Sequence, residues 1–111
     1  MNELVSRLRT HACEELGIPE ARIRVIRAPY RFCPVGAHVD HQDGHVTGFA
    51  LDRALYLAFA PDPGGRVRLR SLDTAGEVRA SLTGVGEPVR GDWGNYVRGA
   101  IRALGGYSAL S

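Results

Sequence analysis

The spacing of apolar residues changes along this chain from helical to alternating and back again, and that change limits the folds open to it. Residues 3–16 carry apolar side chains at helical intervals and precede Gly17 and Pro19, which predicts an amphipathic helix that ends there. A second helix with one apolar side is predicted after Asp92, a typical N-cap residue. The residues expected along that side are Tyr96, Val97, Ala100, Ile101 and Leu104.

Between the two helices, apolar and polar residues alternate as they do in half-buried strands. Residues 66–70 and 77–82 flank a short turn and predict a hairpin with one face in water. Residues 55–60 are nearly all apolar, so we expect that strand to be central in its sheet. The remaining extended segments are 22–27, with an irregular continuation at 32–35, and 46–51. A helix, several strands and a helix predict an α+β domain.

The composition bounds the class of protein. With 111 residues, 44% of them hydrophobic and 23% charged, the chain has the size and makeup of one modest globular domain. No apolar run is long enough for a bilayer and no leader-like pattern is visible, so we expect a cytoplasmic protein with no membrane partner. The net charge of +2, without a dense basic cluster, gives no support for a nucleic-acid partner. Cys13 and Cys33 are expected to be free thiols.

Residues 36–45 interrupt every periodicity and concentrate ionisable side chains in what we expect to be a loop between strands. Carboxylates and histidines of this kind bind the vicinal hydroxyls of a polyol, and the preceding Arg31 can balance phosphate charge. The same residue types also bind metal ions, and a solvated polar turn is a third possibility. The residues concerned are His38, Asp40, His41, Asp43 and His45.

The stretch from Arg27 to His41 resembles the galactokinase signature of the GHMP kinase superfamily, Ala-Pro-Gly-Arg-Val-Asn-Leu-Ile-Gly-Glu-His-x-Asp-Tyr. Residues in register with that signature are Ala28, Pro29, Arg31, Gly36, His38 and Asp40. Later stretches resemble two further galactokinase motifs in the right order, at residues 44–46 with 50–53 and at residues 93–99. The resemblance extends over about residues 22–104.

The resemblance implies an ATP-dependent sugar 1-kinase with a partial GHMP-kinase N-terminal domain. That domain has the ribosomal protein S5 domain 2-like fold, a mixed sheet with helices on one face. Arg31 would lie near the sugar's anomeric hydroxyl and the transferring phosphoryl group. Asp40 would accept hydrogen bonds from ring hydroxyls, with His38 beside it. Trp93 would either help to wall the nucleotide side or belong to the core. ATP and Mg²⁺ are the implied cofactors of the complete enzyme.

Some positions depart from the galactokinase signature and look closer to the plant-type galacturonokinase branch: Tyr30, Cys33, Pro34, Ala37 and His41. By the resemblance, the signature's glutamate, which is Ala37 here, reaches the C6 end of the sugar. A uronic acid carries a carboxylate at C6, and two carboxylates in contact repel each other. Ala37 therefore favours galacturonate over galactose as the substrate.

The family's glycine- and serine-rich loop, which cradles ATP phosphates at a helix N-terminus, has no counterpart in this sequence. Residues 105–111 lack its spacing. We therefore expect residues 1–111 to be the incomplete N-terminal sugar-binding part of a kinase whose remaining domains are missing from this chain. The isolated chain is expected to be inactive and to hold no cofactor tightly. A non-catalytic sugar-binding remnant and a His/Asp metal-binding module remain open as alternatives.

Overall fold

The computed structural model describes residues 2–105, which form an α+β protein as the sequence predicts. In chain order the elements are α1 (Asn2–Leu16), β1 (Arg24–Phe32), β2 (Phe49–Phe59), β3 (Arg66–Arg70), β4 (Glu77–Ser81) and α2 (Gly94–Leu104). The chain divides into two compact units, Met1–Ala60 and Pro61–Ser111, and each is described by itself.

In the first unit, α1 ends at the predicted glycine. The backbone N–H of Gly17 donates to the carbonyl of Cys13 (3.1 Å), and the N–H of Ile18 donates to the carbonyl of Ala12 (3.2 Å). Gly17 has a φ of 65°, which a residue without a Cβ adopts at little cost. α1 packs against β2, and Ala12 and Ile23 are buried in this unit.

β2 is longer than the sequence predicts. Residues 46–51 and 55–60 predict two strands, but Phe49–Phe59 forms one strand of 11 residues that pairs antiparallel with β1. β1 also continues through Pro29 to Phe32. The expectation of two separate strands is therefore wrong.

An irregularity in the ladder explains why the polar residues between the two predicted strands do not end β2. Between two regular pairs of the ladder, β1 has one residue, Tyr30, and β2 has three, residues 51–53. The extra residues form a bulge in β2. The guanidinium of Arg27 donates a hydrogen bond to the carbonyl of Asp52 (2.7 Å), which ties the bulged backbone to β1. A periodicity argument misses this bulge because the bulge depends on the pairing between strands.

In the second unit, β3 and β4 form the predicted antiparallel hairpin with one face in water. On that face the Glu77 carboxylate pairs with Arg68 (2.8 Å), Arg70 (3.4 Å) and Arg79. Hydrogen bonds from Arg68 and then from Arg79 lower the pKa of Glu77 from 4.5 to about 2. One carboxylate thus offsets part of the positive charge of the arginines on this face.

The sequence predicts Asp92 as the N-cap of α2, but the N-cap residue is Trp93, and the Asp92 carboxylate contacts the first turn from one residue earlier. Asp92 Oδ1 accepts a hydrogen bond from the N–H of Gly94 (3.0 Å), and Oδ2 pairs with Arg98 (2.8 Å). The backbone hydrogen bond, followed by the Arg98 contact, lowers the pKa of Asp92. The carboxylate therefore satisfies one free N–H of the first turn.

Only the middle of the predicted apolar side of α2 is covered within its unit. Val97 and Ile101 are half-buried, and the helix packs against β4. Tyr96, Ala100 and Leu104 are exposed, and Tyr96 is 86% exposed. A narrow contact with one strand covers one stripe of the helix and leaves its flanks in water.

Within residues 2–105 the strands form two separate two-stranded antiparallel sheets, β1–β2 and β3–β4. The single mixed sheet that the resemblance implies is not formed by these residues, because each pair is a hairpin and hairpins place neighbours antiparallel. Cys13 and Cys33 are free, as predicted. No helix in the described part of the chain is long and apolar enough to cross a bilayer.

Replacing Glu77 with Gln should destabilise the protein at neutral pH, because the charge-assisted hydrogen bonds to Arg68 and Arg79 are weakened. The pKa of Glu77 in the folded protein is about 2, below its ordinary 4.5. The stabilisation is therefore complete above about pH 4.5 and is lost as the pH falls through about 2.

Urea unfolding of wild type and Glu77→Gln at about pH 7 and about pH 2.5 measures this effect, and the difference between the two proteins should shrink at the lower pH. Glu87→Gln is the control, since Glu87 is exposed and lies 3.8 Å from its only ion-pair partner in the described residues, Arg102. A difference for Glu77→Gln that does not change with pH would contradict the assignment.

Candidate functional site

The pairing of β1 with β2 holds the polar loop that the sequence singles out. The last pair of the ladder is Phe32 with Phe49, whose rings meet edge to face with centroids 5.5 Å apart. Residues 33–48, called the site loop below, therefore leave and rejoin the hairpin at fixed positions. Arg31 lies in β1 immediately before the aromatic pair, opposite Ala50.

One backbone carbonyl braces the base of the site loop. The carbonyl oxygen of Val35 accepts hydrogen bonds from the backbone N–H of Thr47 (3.0 Å), the Thr47 hydroxyl (3.3 Å) and the Cys33 thiol (3.3 Å). Cys33 is one of the departures from the galactokinase signature, and here it donates to the backbone. The hydrogen bond of the Cys33 thiol therefore helps to hold the base of the site loop.

A second carbonyl shapes the tip of the site loop. The carbonyl of Val39 accepts hydrogen bonds from the N–H groups of Gln42 (3.1 Å) and Gly44 (2.9 Å), around a short 3-10 turn at Asp40–Gln42. Asp43, which follows the turn, has a φ of 58°, a left-handed conformation that Asp adopts more readily than most residues. The course of the tip is thus set by backbone hydrogen bonds.

Two glycines allow the loop to close on itself. Gly36 has a φ of 94°, and a Cβ at this position would meet the carbonyl oxygen of His45. A Cβ on Gly44 would lie 2.7 Å from the carbonyl oxygen of Val39. From the sequence alone, Gly36 is only a match to the signature. Its structural role depends on a close approach across the loop, which the sequence does not show.

The predicted sugar-binding residues Ala37, His38 and Asp40 lie together on the exposed part of the site loop. The only ion pair of Asp40 within the described residues is a long one, 3.7 Å to Nδ1 of His41. Arg31 is also exposed, and within residues 2–105 its guanidinium has no hydrogen bond or ion pair. These donors and acceptors are thus available to a polar ligand.

The histidines and aspartates of the site loop do not form a metal centre. Within the described part of the chain, no three His, Cys, Asp or Glu side chains come together in a way that could hold a metal ion. His41 and His45 are exposed, as is Asp43. The hypothesis of a His/Asp metal-binding module therefore has no geometric support.

The remaining predicted site residue, Trp93, belongs to the second unit. Its indole N–H donates to the carbonyl of Ala75 (3.3 Å), and its side chain is half-buried. Trp93 lines an open depression of about 440 Å³ with four neighbours: Gly91, Asp92, Asn95 and Tyr96. The indole is therefore partly packed and partly a wall of this depression.

Asn95 has a role that the sequence did not indicate. Its side-chain amide accepts a hydrogen bond from the N–H of Val89 (3.0 Å) and donates one to the Val89 carbonyl (2.6 Å). Its Oδ1 also accepts from Arg98 (3.0 Å). The amide thus ties the preceding segment to α2. The sequence offers one signal for this role of Asn95: the residue lies in the first turn of a predicted helix, where polar side chains often hydrogen-bond to nearby backbone groups.

Gly36→Ala should destabilise the protein more than Gly17→Ala. Both glycines have a positive φ, which costs a residue with a Cβ about 1–2 kcal/mol. Only at Gly36 does the added methyl group also meet backbone, while nothing lies within 4 Å of a Cβ on Gly17. The extra loss should be about 1 kcal/mol or more, measured by urea unfolding at 25 °C. Equal losses for the two variants would show that the site loop is not closed as described.

Known proteins resemble this chain over most of its length. A galacturonokinase from Arabidopsis thaliana is 35% identical over an alignment that covers 79% of this chain and 24% of the relative. A galactokinase from Chloroflexus aurantiacus is 38% identical over 81 residues, covering 73% of this chain and 21% of the relative. A galactokinase from Roseiflexus sp. is 36% identical over 80 residues, covering 72% and 20%.

The chain spans about a quarter or less of the length of these curated relatives. No protein-family model and no solved structure matches it. The chain is therefore an N-terminal segment of the galactokinase and GHMP kinase type.

Proposed function

We propose that this chain is the sugar-binding N-terminal part of an ATP-dependent sugar 1-kinase that prefers galacturonate to galactose. The observation that carries the proposal is the match to a galacturonokinase across 79% of the chain, combined with a braced loop that leaves His38 and Asp40 exposed. In the complete enzyme the sugar's C1 oxygen would bond to the γ-phosphorus of ATP as the bond to ADP breaks and the hydroxyl proton leaves. This chain supplies sugar contacts.

Asp40 is the proposed acceptor for ring hydroxyls. Its carboxylate is exposed, and its contact with His41 at 3.7 Å is too long for a hydrogen bond. A carboxylate oxygen can therefore exchange water for two vicinal hydroxyls without breaking an internal contact. His38, two residues earlier on the same exposed stretch, can add a donor or an acceptor.

Arg31 is the proposed stabiliser of phosphoryl charge. Its position is fixed by β-pairing rather than by a loop, since it lies opposite Ala50 in the ladder. Because the guanidinium has no ion pair inside residues 2–105, it can pair with a phosphoryl oxygen without breaking an internal contact. Its positive charge would then stabilise the charge that develops on the transferring group.

Ala37 is the proposed determinant of the preference for a uronate. It is exposed in the site loop, where the galactokinase signature has glutamate. A glutamate at this position would place its charge at the C6 end of the sugar, against the carboxylate of a uronic acid. At contact distance the repulsion, even after solvent screening, is worth about 1 kcal/mol or more, which is close to a tenfold preference.

The nucleotide is proposed to bind on the side that Trp93 helps to wall. The depression beside Trp93 offers the indole as an aromatic surface and the exposed side chain of Tyr96. Mg²⁺ would accompany ATP in the complete enzyme, but residues 2–105 supply no cluster able to hold it.

The test of the function is a chimera in which this chain replaces the matching segment of the Arabidopsis thaliana galacturonokinase. The chimera should phosphorylate galacturonate with ATP, as measured by coupled ADP release and by detection of the sugar 1-phosphate. A folded chimera that binds galacturonate without turning over ATP would instead support the alternative of a non-catalytic sugar-binding remnant.

In that chimera, Asp40→Asn should lower kcat/KM for the sugar about tenfold or more. The amide replaces an acceptor-only group and loses about 1.5–3 kcal/mol of charge-assisted hydrogen bonding. Asp43→Asn is the matched control, because Asp43 lies on the same tip and Asn tolerates its positive φ. Equal effects of the two substitutions would remove Asp40 from the sugar site.

Ala37→Glu in the chimera should reduce the ratio of kcat/KM for galacturonate to kcat/KM for galactose by about tenfold, because the new carboxylate repels the uronate. Ala37→Gln is the control, since it adds a side chain of nearly the same size without charge. If galactose is the better substrate of the wild-type chimera, or if Glu and Gln change the ratio equally, the proposed role of Ala37 is wrong.

A further inference from the structure

We propose that His41 is a second specificity-determining residue of the sugar site, and that its imidazole donates a hydrogen bond to the C6 carboxylate of a uronate. This role rests on the proposed function, since it requires that Asp40 accepts hydrogen bonds from ring hydroxyls. Ala37 removes a repulsion from the site, and His41 adds an attraction.

The imidazole of His41 lies beside the carboxylate that is proposed to hold the sugar. Both residues belong to the 3-10 turn Asp40–Gln42, and Nδ1 of His41 is 3.7 Å from Oδ1 of Asp40. This distance places the two side chains on the same side of the turn. The C6 carboxylate of a uronate adjoins the ring carbon next to the one that bears the C4 hydroxyl. A sugar that Asp40 holds by hydroxyls at that end therefore brings its carboxylate towards the His41 ring.

The His41 ring is available to a ligand. Its contact with Asp40 is longer than a hydrogen bond, and 67% of its side-chain surface is exposed. Within residues 2–105 the imidazole makes no hydrogen bond. Since Nδ1 is the ring nitrogen near Asp40, Nε2 remains for a second acceptor. The ring can thus stand between Asp40 and a bound carboxylate.

The hydroxyls and the carboxylate of a uronate need different partners. A hydroxyl can donate to a carboxylate such as Asp40, whereas an ionised carboxylate only accepts and must receive a donated hydrogen. A carboxylate that leaves water without meeting a donor loses its hydration without compensation. The methyl group of Ala37 donates nothing. A preference for a uronate therefore needs a donor in addition to the absence of a glutamate.

The geometry favours His41 over the other basic side chains near the site. Within the described residues, His41 is the only one that lies in ion-pair contact with Asp40. His38 and His45 are exposed in the same loop without such a contact. Arg31 is proposed to act on the phosphoryl group at C1, which is the opposite end of the sugar from C6.

Two departures from the galactokinase signature act in the same direction. Ala37 stands where the signature has glutamate, and His41 stands where it has tyrosine. The first difference removes a negative charge, and the second introduces a ring that can carry a positive charge near neutral pH. The N–H of Val39 donates to the carbonyl of Gly36 (3.2 Å), and the N–H of Gln42 donates to the carbonyl of Val39 (3.1 Å), so both positions lie on consecutive turns. Both differences favour an anionic sugar at one short stretch.

The test measures kcat/KM for galacturonate and for galactose in the chimera with the Arabidopsis thaliana galacturonokinase. His41→Leu removes both ring nitrogens and should lower the value for galacturonate about tenfold, because a charge-assisted hydrogen bond is lost. The value for galactose should fall by less than about threefold, since its C6 hydroxyl makes a weaker, neutral hydrogen bond. His41→Gln keeps an N–H donor and should restore part of the galacturonate activity.

His45→Leu is the matched control, since His45 is an exposed histidine of the same loop with no ion pair to Asp40 within residues 2–105. It should leave the ratio of the two kcat/KM values within about twofold of the wild-type ratio. Thermal unfolding of each variant checks that the fold is kept.

The methyl ester of galacturonate separates the charge of the ligand from its shape. The wild-type chimera should prefer the acid to the ester, and His41→Leu should reduce that preference about tenfold, because leucine cannot donate to the acid. Any steric effect of the ester methyl group is common to both proteins and cancels in this comparison.

If the chimera does not fold, NMR of the isolated chain answers the same question. Galacturonate should shift the imidazole signals of His41 more than galactose does at the same concentration. The signals of His11, an exposed residue of α1, should not move. Equal shifts of His41 with the two sugars would contradict its proposed role.

The remaining outcomes separate this role from the proposed function. Equal losses for both sugars in His41→Leu, an unchanged preference for the acid over its ester, or an equal effect of His45→Leu would each refute the role of His41 alone. A chimera whose binding of galacturonate, measured by calorimetry, depends on His41 but which turns over no ATP would refute the proposed function alone. A wild-type chimera that prefers galactose would refute both.

Discussion

The antiparallel pairing of β1 with β2 is the constraint on which the rest of the first unit depends. It gives α1 a surface to pack on, and it fixes both ends of the site loop through the Phe32–Phe49 pair. It also fixes Arg31 one residue before that pair. Because the loop has no other anchor among the described elements, a change in the register of this ladder would move every proposed sugar contact at once.

The site loop is held by its backbone, and this leaves its ionisable side chains uncommitted. The carbonyls of Val35 and Val39 collect the internal hydrogen bonds, and Gly36 and Gly44 permit the close approaches. His38 and Asp40 contribute little to the shape of the loop. This division is what a binding loop requires, since side chains that are not needed for the fold can exchange water for a ligand without destabilising it.

Much of the secondary structure follows from local sequence, while the parts that depend on distant contacts do not. α1 and the β3–β4 hairpin are predicted because their periodicity and terminating residues are local. The continuity of β2 is missed because the bulge opposite Tyr30 exists only through pairing with β1. The residues of the candidate site were predicted from their chemistry together with the resemblance to galactokinases, but the closure of the loop at Gly36 was not predicted, since its positive φ serves a contact nine residues away.

Two of the stretches that resemble galactokinase motifs have different physical meanings. At residues 93–99 the polar side chains are used internally: Asn95 ties down Val89, and Arg98 pairs with Asp92 beside the first turn of α2. At residues 31–40, Arg31, His38 and Asp40 have no side-chain hydrogen bond within the described chain. Similarity in the helical stretch therefore supports a shared fold, because the same contacts must form in any protein that keeps it. Similarity in the loop is the part that bears on the proposed ligand, since no internal contact accounts for the exposed Arg31 and Asp40.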